Sequence, residues 1–135
     1  MELFVFDIDG TLVANFGEMT DEVISSLNKL LERGDMVVFA SGRCQSGVKR
    51  YMDCLIPSKN KIVLACNGAV TYDSEGNLIS RTGLTYADFL YITKKYSCGI
   101  GVPYFYRDNI LGAFMPDENV CKMNINLTGW MDSSI

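Results

Sequence analysis

Two aspartates one residue apart, Asp7 and Asp9, close the apolar run Leu-Phe-Val-Phe at positions 3–6 and are followed at once by Gly10 and Thr11. Carboxylates so placed can attract a hard divalent cation such as Mg²⁺ and can serve as nucleophile or as general acid and base. An apolar run without alternation reads as a strand covered on both faces, central in a parallel α/β sheet. The carboxyl ends of such strands are where these sheets bind ligands. Successive side chains point to opposite faces, but Gly10 lets the chain leave the pleat, so both acids can turn toward one crevice.

A second run, Met-Val-Val-Phe-Ala at 36–40, ends in Ser41, Gly42 and Arg43. A hydroxyl, a permissive backbone and a guanidinium fork suit a tetrahedral oxyanion. Alone, this tripeptide is more often an ordinary turn; beside the Asp-x-Asp strand that reading loses weight. A calcium loop is the competing reading of the aspartate pair, and Glu18 does stand at its twelfth position counted from Asp7. Thr11 and Leu12 occupy places where such a loop needs a polar ligand and a glycine, and a strand precedes it instead of a helix.

Phe-Asp-Ile-Asp-Gly-Thr-Leu (6–12), Phe-Ala-Ser-Gly-Arg (39–43) and Ala-Cys-Asn-Gly-Ala (65–69) resemble the early motifs of the haloacid dehalogenase superfamily, most closely its Cof-type, subclass IIB phosphatases. The resemblance implies an incomplete Rossmannoid α/β core over residues 1–83, followed by part of an inserted α+β cap over 84–135. It implies that Asp7 is the nucleophile and Asp9 the general acid/base. Mg²⁺ would be held by the Asp7 carboxylate and the Asp9 backbone carbonyl. Ser41 would bind the phosphoryl oxygens, with Gly10, Thr11, Gly42, Arg43 and Asn67 completing the substrate-binding set. The activity implied is hydrolysis of small phosphorylated metabolites; a catalytically incompetent phosphate-binding or assembly module, and a phosphomutase-type phosphotransferase, are the alternatives. The family's lysine motif and final acidic motif have no counterpart here: Lys94, Lys95, Lys122, Asp117, Glu118 and Asp132 all lack the required context. The expectation is therefore a fragment, a truncated product or a chain completed by a partner, inactive alone.

Elements that would position these residues can be read from periodicity. Strands are expected at 3–7, 36–40 and 61–65. A helix at 20–33 is capped by Thr20, buries Val23, Ile24, Leu27, Leu30 and Leu31, and ends at Gly34. A shorter helix spans 44–53, and a hairpin joins 69–73 to 78–82 around Ser74-Glu75-Gly76-Asn77. Beyond residue 84 a helix from Thr85 to Tyr96 precedes strands near 102–107, 110–115 and 120–127, where Tyr104, Tyr106 and Arg107 could face substrate or simply fill the cap. With half of its sheet supplied from elsewhere, strand 3–7 would be a bare apolar edge prone to self-association.

Composition narrows the classes. A hydrophobic fraction of 48% argues against disorder. A net charge of −4 without a basic cluster argues against nucleic acid as partner. The five cysteines have no C-x-x-C spacing and there is no histidine, so free thiols in a reducing, cytoplasmic setting are expected in place of a disulfide or zinc framework. Neither a signal peptide nor a membrane span is expected.

Overall fold

The computed structural model describes residues 1–14, 17–96, 104–107 and 110–113. Its first unit is β1 (Leu3–Asp7), α1 (Asp21–Glu32), β2 (Met36–Ala40), α2 (Gln45–Asp53) and β3 (Lys61–Ala65). The three strands are parallel, paired from Leu3↔Met36 to Asp7↔Ala40 and from Val37↔Lys61 to Ala40↔Leu64. A short 3₁₀ turn (Cys66–Gly68) leads into β4 (Val70–Tyr72) and β5 (Leu78–Arg81). This hairpin extends the sheet by antiparallel pairing on β3, in the order β1-β2-β3-β4-β5. The result is a mixed five-stranded α/β sheet. Next come α3 (Tyr86–Tyr96) and a two-stranded antiparallel sheet of β6 (Tyr104–Arg107) and β7 (Ile110–Ala113).

The helices form where their caps and stripes dictate. The Thr20 side chain accepts the Val23 N–H at 3.4 Å, satisfying one of the first-turn donors of α1. Leu27 and Leu31 of α1 are buried, and Val23, Ile24 and Leu30 pack partly against the same core. Each fully buried leucine contributes roughly 1.5–3 kcal/mol. Gly34 follows with φ +85°, the left-handed geometry that stops a helix. α2 buries Val48, Tyr51 and Met52 against Val37, Phe39 and Val63 of the sheet. Thr85 opens α3: its hydroxyl accepts the Asp88 N–H at 3.1 Å while the Asp88 carboxylate accepts the Thr85 N–H at 3.0 Å.

Among the described residues β1 is an edge strand paired with β2 alone, as expected for strand 3–7. Its coverage on both faces is corrected: exposure alternates along it, with Leu3 62% and Val5 55% exposed, the pattern of a strand with one face open to water. The expected strand at 120–127, the turn at Asp108-Asn109, Lys122, Asp117, Glu118, Asp132, Cys98 and Cys121 lie outside the described residues.

Candidate active site

The parallel strands β1, β2 and β3 deliver their last residues to one end of the sheet. Asp7 is the final residue of β1 and is exposed. Its carboxylate accepts a hydrogen bond from the Thr11 hydroxyl at 3.4 Å. Ile8, wholly buried, anchors the turn that follows: its carbonyl accepts from the N–H groups of Thr11, Leu12 and Val13 at 3.0–3.3 Å. Gly10 lies at φ +85°, and its N–H returns to the Val13 carbonyl at 2.8 Å. The chain thus leaves the pleat after Asp7, as the Gly-Thr pair predicted, and Asp9 sits on the turn.

Asp9 faces β2. Both oxygens of its carboxylate accept from the Arg43 fork, Nε to Oδ2 at 2.9 Å and Nη2 to Oδ1 at 2.6 Å. Arg43 is 0% exposed and the Asp9 side chain 28%. Burial by itself would pull the Arg43 pKa down, but hydrogen bonding and charge from Asp9, with help from Tyr51, outweigh it, and the pKa lies above the usual arginine value. The pair is a bidentate, charge-assisted contact across 34 residues of sequence. Removing Asp9 would strand a buried cation, a loss of about 3–5 kcal/mol by analogy with other buried pairs.

The end of β2 is held as tightly. Ser41 is buried; its N–H donates to the Leu64 carbonyl at 2.9 Å and its hydroxyl oxygen accepts the Arg43 N–H at 3.2 Å. The Asn67 N–H donates to the Ser41 carbonyl at 3.0 Å, and the Cys66 N–H to the Arg43 carbonyl at 2.8 Å. Cys66 and Asn67 both adopt positive φ, +52° and +57°, a conformation that costs a non-glycine residue energy and recurs at functional sites. The Asn67 amide lies against Gly42, where a Cβ would come within 3.1 Å of its Oδ1. Any side chain at position 42 would displace it. Burial pushes the Cys66 thiol up to about 11, so it is a poor nucleophile.

Asp7, Asp9, Gly10, Thr11, Ser41, Gly42, Arg43 and Asn67 were legible in the sequence as site candidates; the support beneath them was not. The Arg43 guanidinium stacks on the Tyr51 ring at 5.2 Å, and Arg50 lies over the same ring at 4.6 Å. The Tyr51 hydroxyl donates to the Gly17 carbonyl at 3.0 Å. The signal available was a lone aromatic on the apolar stripe of the helix that follows Ser-Gly-Arg, which reads as core until Arg43 is placed.

The donors fit a hard cation in part. Asp7 offers an exposed carboxylate, whereas both Asp9 oxygens are engaged by Arg43, leaving its backbone carbonyl as the group it could contribute. Among the described residues no three acidic, histidine or cysteine side chains cluster as a ready-made metal cage. A recess of about 630 Å³ is lined by Asp53, Lys59, Lys61 and Glu75 at the opposite end of β3. There the buried Lys61 amine donates to the Met52 carbonyl at the end of α2, a structural use of a cation.

Comparison with known proteins bears on the family and the fold. Residues 4–113 match the haloacid dehalogenase-like hydrolase family. YxeH of Bacillus subtilis strain 168, a phosphatase candidate by name, is 35% identical over 92% of this chain and 46% of its own length. A haloacid dehalogenase-like hydrolase from B. subtilis superposes with a TM-score of 0.77 at 22% identity, over 91% of this chain and 42% of that one. The subclass IIB sugar phosphatase BT4131 superposes with a TM-score of 0.66 at 22% identity, over 95% and 49% respectively. The chain spans about half the length of these relatives. With the family model matched over residues 4–113 and a relative 35% identical over 92% of this chain, the protein belongs to the haloacid dehalogenase-like hydrolases.

Proposed function

We propose that the chain carries the nucleophile, the acid/base and the phosphate-binding hydroxyl of a Mg²⁺-dependent phosphatase acting on small phosphorylated metabolites. The observation that carries this reading is the pairing of an exposed Asp7 at the end of β1 with an Asp9 held by Arg43 two residues later. Asp7 would attack phosphorus, forming an acyl phosphate as the bond to the leaving oxygen breaks and Asp9 delivers a proton to that oxygen. Water would then attack phosphorus, Asp9 taking its proton, releasing phosphate and restoring Asp7. The Asp7 carboxylate and the Asp9 carbonyl would hold Mg²⁺, whose charge offsets the repulsion between Asp7 and an anionic phosphate.

Residues 84–135 are read as part of a cap that selects the substrate, with Tyr104, Tyr106 and Arg107 as candidate contacts. The free thiols among the described cysteines suit a reducing, cytoplasmic setting. No described helix is long and apolar enough to cross a membrane. The 135 residues by themselves are expected to turn over poorly, because one carboxylate and one carbonyl leave most of a cation's shell to water.

Phosphate release from an aryl phosphate tests this, with the 135-residue chain beside a version extended to the next stop codon. We expect hydrolysis by the longer form, negligible turnover by the shorter, and a fall of orders of magnitude in Asp7→Asn. Near-normal turnover in Asp7→Asn ends the covalent mechanism. Phosphate binding without turnover in both forms favours the incompetent binding module, for which the engagement of both Asp9 oxygens by Arg43 is the supporting observation. Transfer of the phosphoryl group to a second metabolite would favour the phosphomutase.

A further inference from the structure

We propose that Tyr51 is a positioning residue for the acid/base: its ring holds the Arg43 fork against Asp9, and its hydroxyl fixes the loop that carries the chain away from Asp9. The catalytic meaning of this rests on the phosphatase reading; the positioning does not. Tyr51 is wholly buried on α2, with the Arg43 guanidinium 5.2 Å from its ring centre. Its hydroxyl donates to the Gly17 carbonyl at 3.0 Å, and Arg50 donates to the Tyr51 oxygen and, at 3.4 Å, to the same carbonyl. Arg50 also lies 3.6 Å from the Glu18 carboxylate, which offsets the second cation on the ring.

These contacts close a circuit. It runs along the chain from Asp9 to Gly17, across to the Tyr51 hydroxyl, through the ring to Arg43, and back to Asp9 through the bidentate pair. A guanidinium is planar and weakly hydrated, so an aromatic face satisfies its flat side while its edge binds the carboxylate. An aliphatic residue would fill the volume and leave the fork free to tilt. Tyr51 thereby adds a second tie between these segments beside the Asp9–Arg43 pair.

The test is the exchange of the Arg43 Nε–H in ¹⁵N-labelled protein, the resonance being assigned by its loss in Arg43→Lys. Tyr51→Leu is expected to accelerate that exchange about tenfold while the β2 backbone amides stay protected, the factor following from a lost cation–π contact. Tyr51→Phe keeps the ring, so Arg43 should stay protected while the Gly17 and Glu18 amide resonances shift. Unchanged Arg43 exchange in a folded Tyr51→Leu protein overturns the proposal, as does equal acceleration in both variants, which would mark a general loss of packing. Should Tyr51→Leu fail to fold, Tyr51→Phe decides alone: unmoved Gly17 and Glu18 resonances overturn the tether, and shifted ones with Arg43 protected support it. In a form that hydrolyses an aryl phosphate, Tyr51→Phe should lower kcat several-fold and leave KM nearly unchanged. If no form hydrolyses, the phosphatase reading falls and the exchange result still stands.

Discussion

β1 and β2 are parallel, five residues long and paired over their whole length, yet they live in different surroundings. β2 buries Val37, Val38 and Phe39, whereas β1 leaves Leu3 and Val5 more than half exposed. Their ends differ in the same way, an exposed Asp7 against a buried Ser41. An apolar run states what a strand requires of its neighbours. Whether the neighbours are present is decided by the sheet order. β2 has α1 packed on it and strands on both sides, while among the described residues β1 has one strand neighbour.

The largest effect should come from the covered strand. Phe39→Ala should cost about 3–5 kcal/mol in urea unfolding, as for other buried phenylalanines, whereas Val5→Thr on the exposed face should change stability by less than about 0.5 kcal/mol. A Val5→Thr loss rivalling that of Phe39→Ala would show that β1 is covered in solution after all.

Ser41→Ala should cost roughly 1–3 kcal/mol of transition-state stabilisation in a form that turns over, measured as the change in kcat/KM. Part of any effect on folding would come from the Arg43 N–H that the hydroxyl now accepts. An unchanged kcat/KM would return Ser-Gly-Arg to an ordinary turn.

Among the described residues the outer edge of β1 carries no partner strand, and we propose that this edge drives self-association. Leu3→Lys with Val5→Lys should shift sedimentation velocity toward monomer. Association that persists in the double variant would clear β1 as its cause.

The smallest expected effect tests what ties the start of β1 to β2. Asp35 accepts the Glu2 N–H at 2.8 Å and pairs with Arg33, and these hold its carboxyl below the usual aspartate range, chiefly through the Glu2 bond. A carboxyl depressed in the folded state stabilises above its unfolded pKa, near 3.9, and that stability drains as pH falls through the folded value. Thermal stability should therefore fall on acidification below about pH 4, and Asp35→Asn should flatten that slope. An identical slope in Asp35→Asn would exclude this clamp.

The sequence by itself determined the elements whose causes are local. Thr20 and Gly34 bound α1, the apolar runs make β1, β2 and β3, and the Asp-x-Asp-Gly-Thr and Ser-Gly-Arg segments mark the strand ends. Each depends on neighbours within a few residues, through capping, periodicity or permitted φ. Tertiary structure alone decided that Arg43 grips Asp9, that Tyr51 and Gly17 underpin the grip, and that Asn67 rests on Gly42. Those contacts join residues tens of positions apart, and they exist only because parallel pairing brings strand ends to one side of the sheet. Sequence spacing carries no record of which buried cation will find which carboxylate; sheet order and burial do, because a charge removed from water must be met wherever the fold places it.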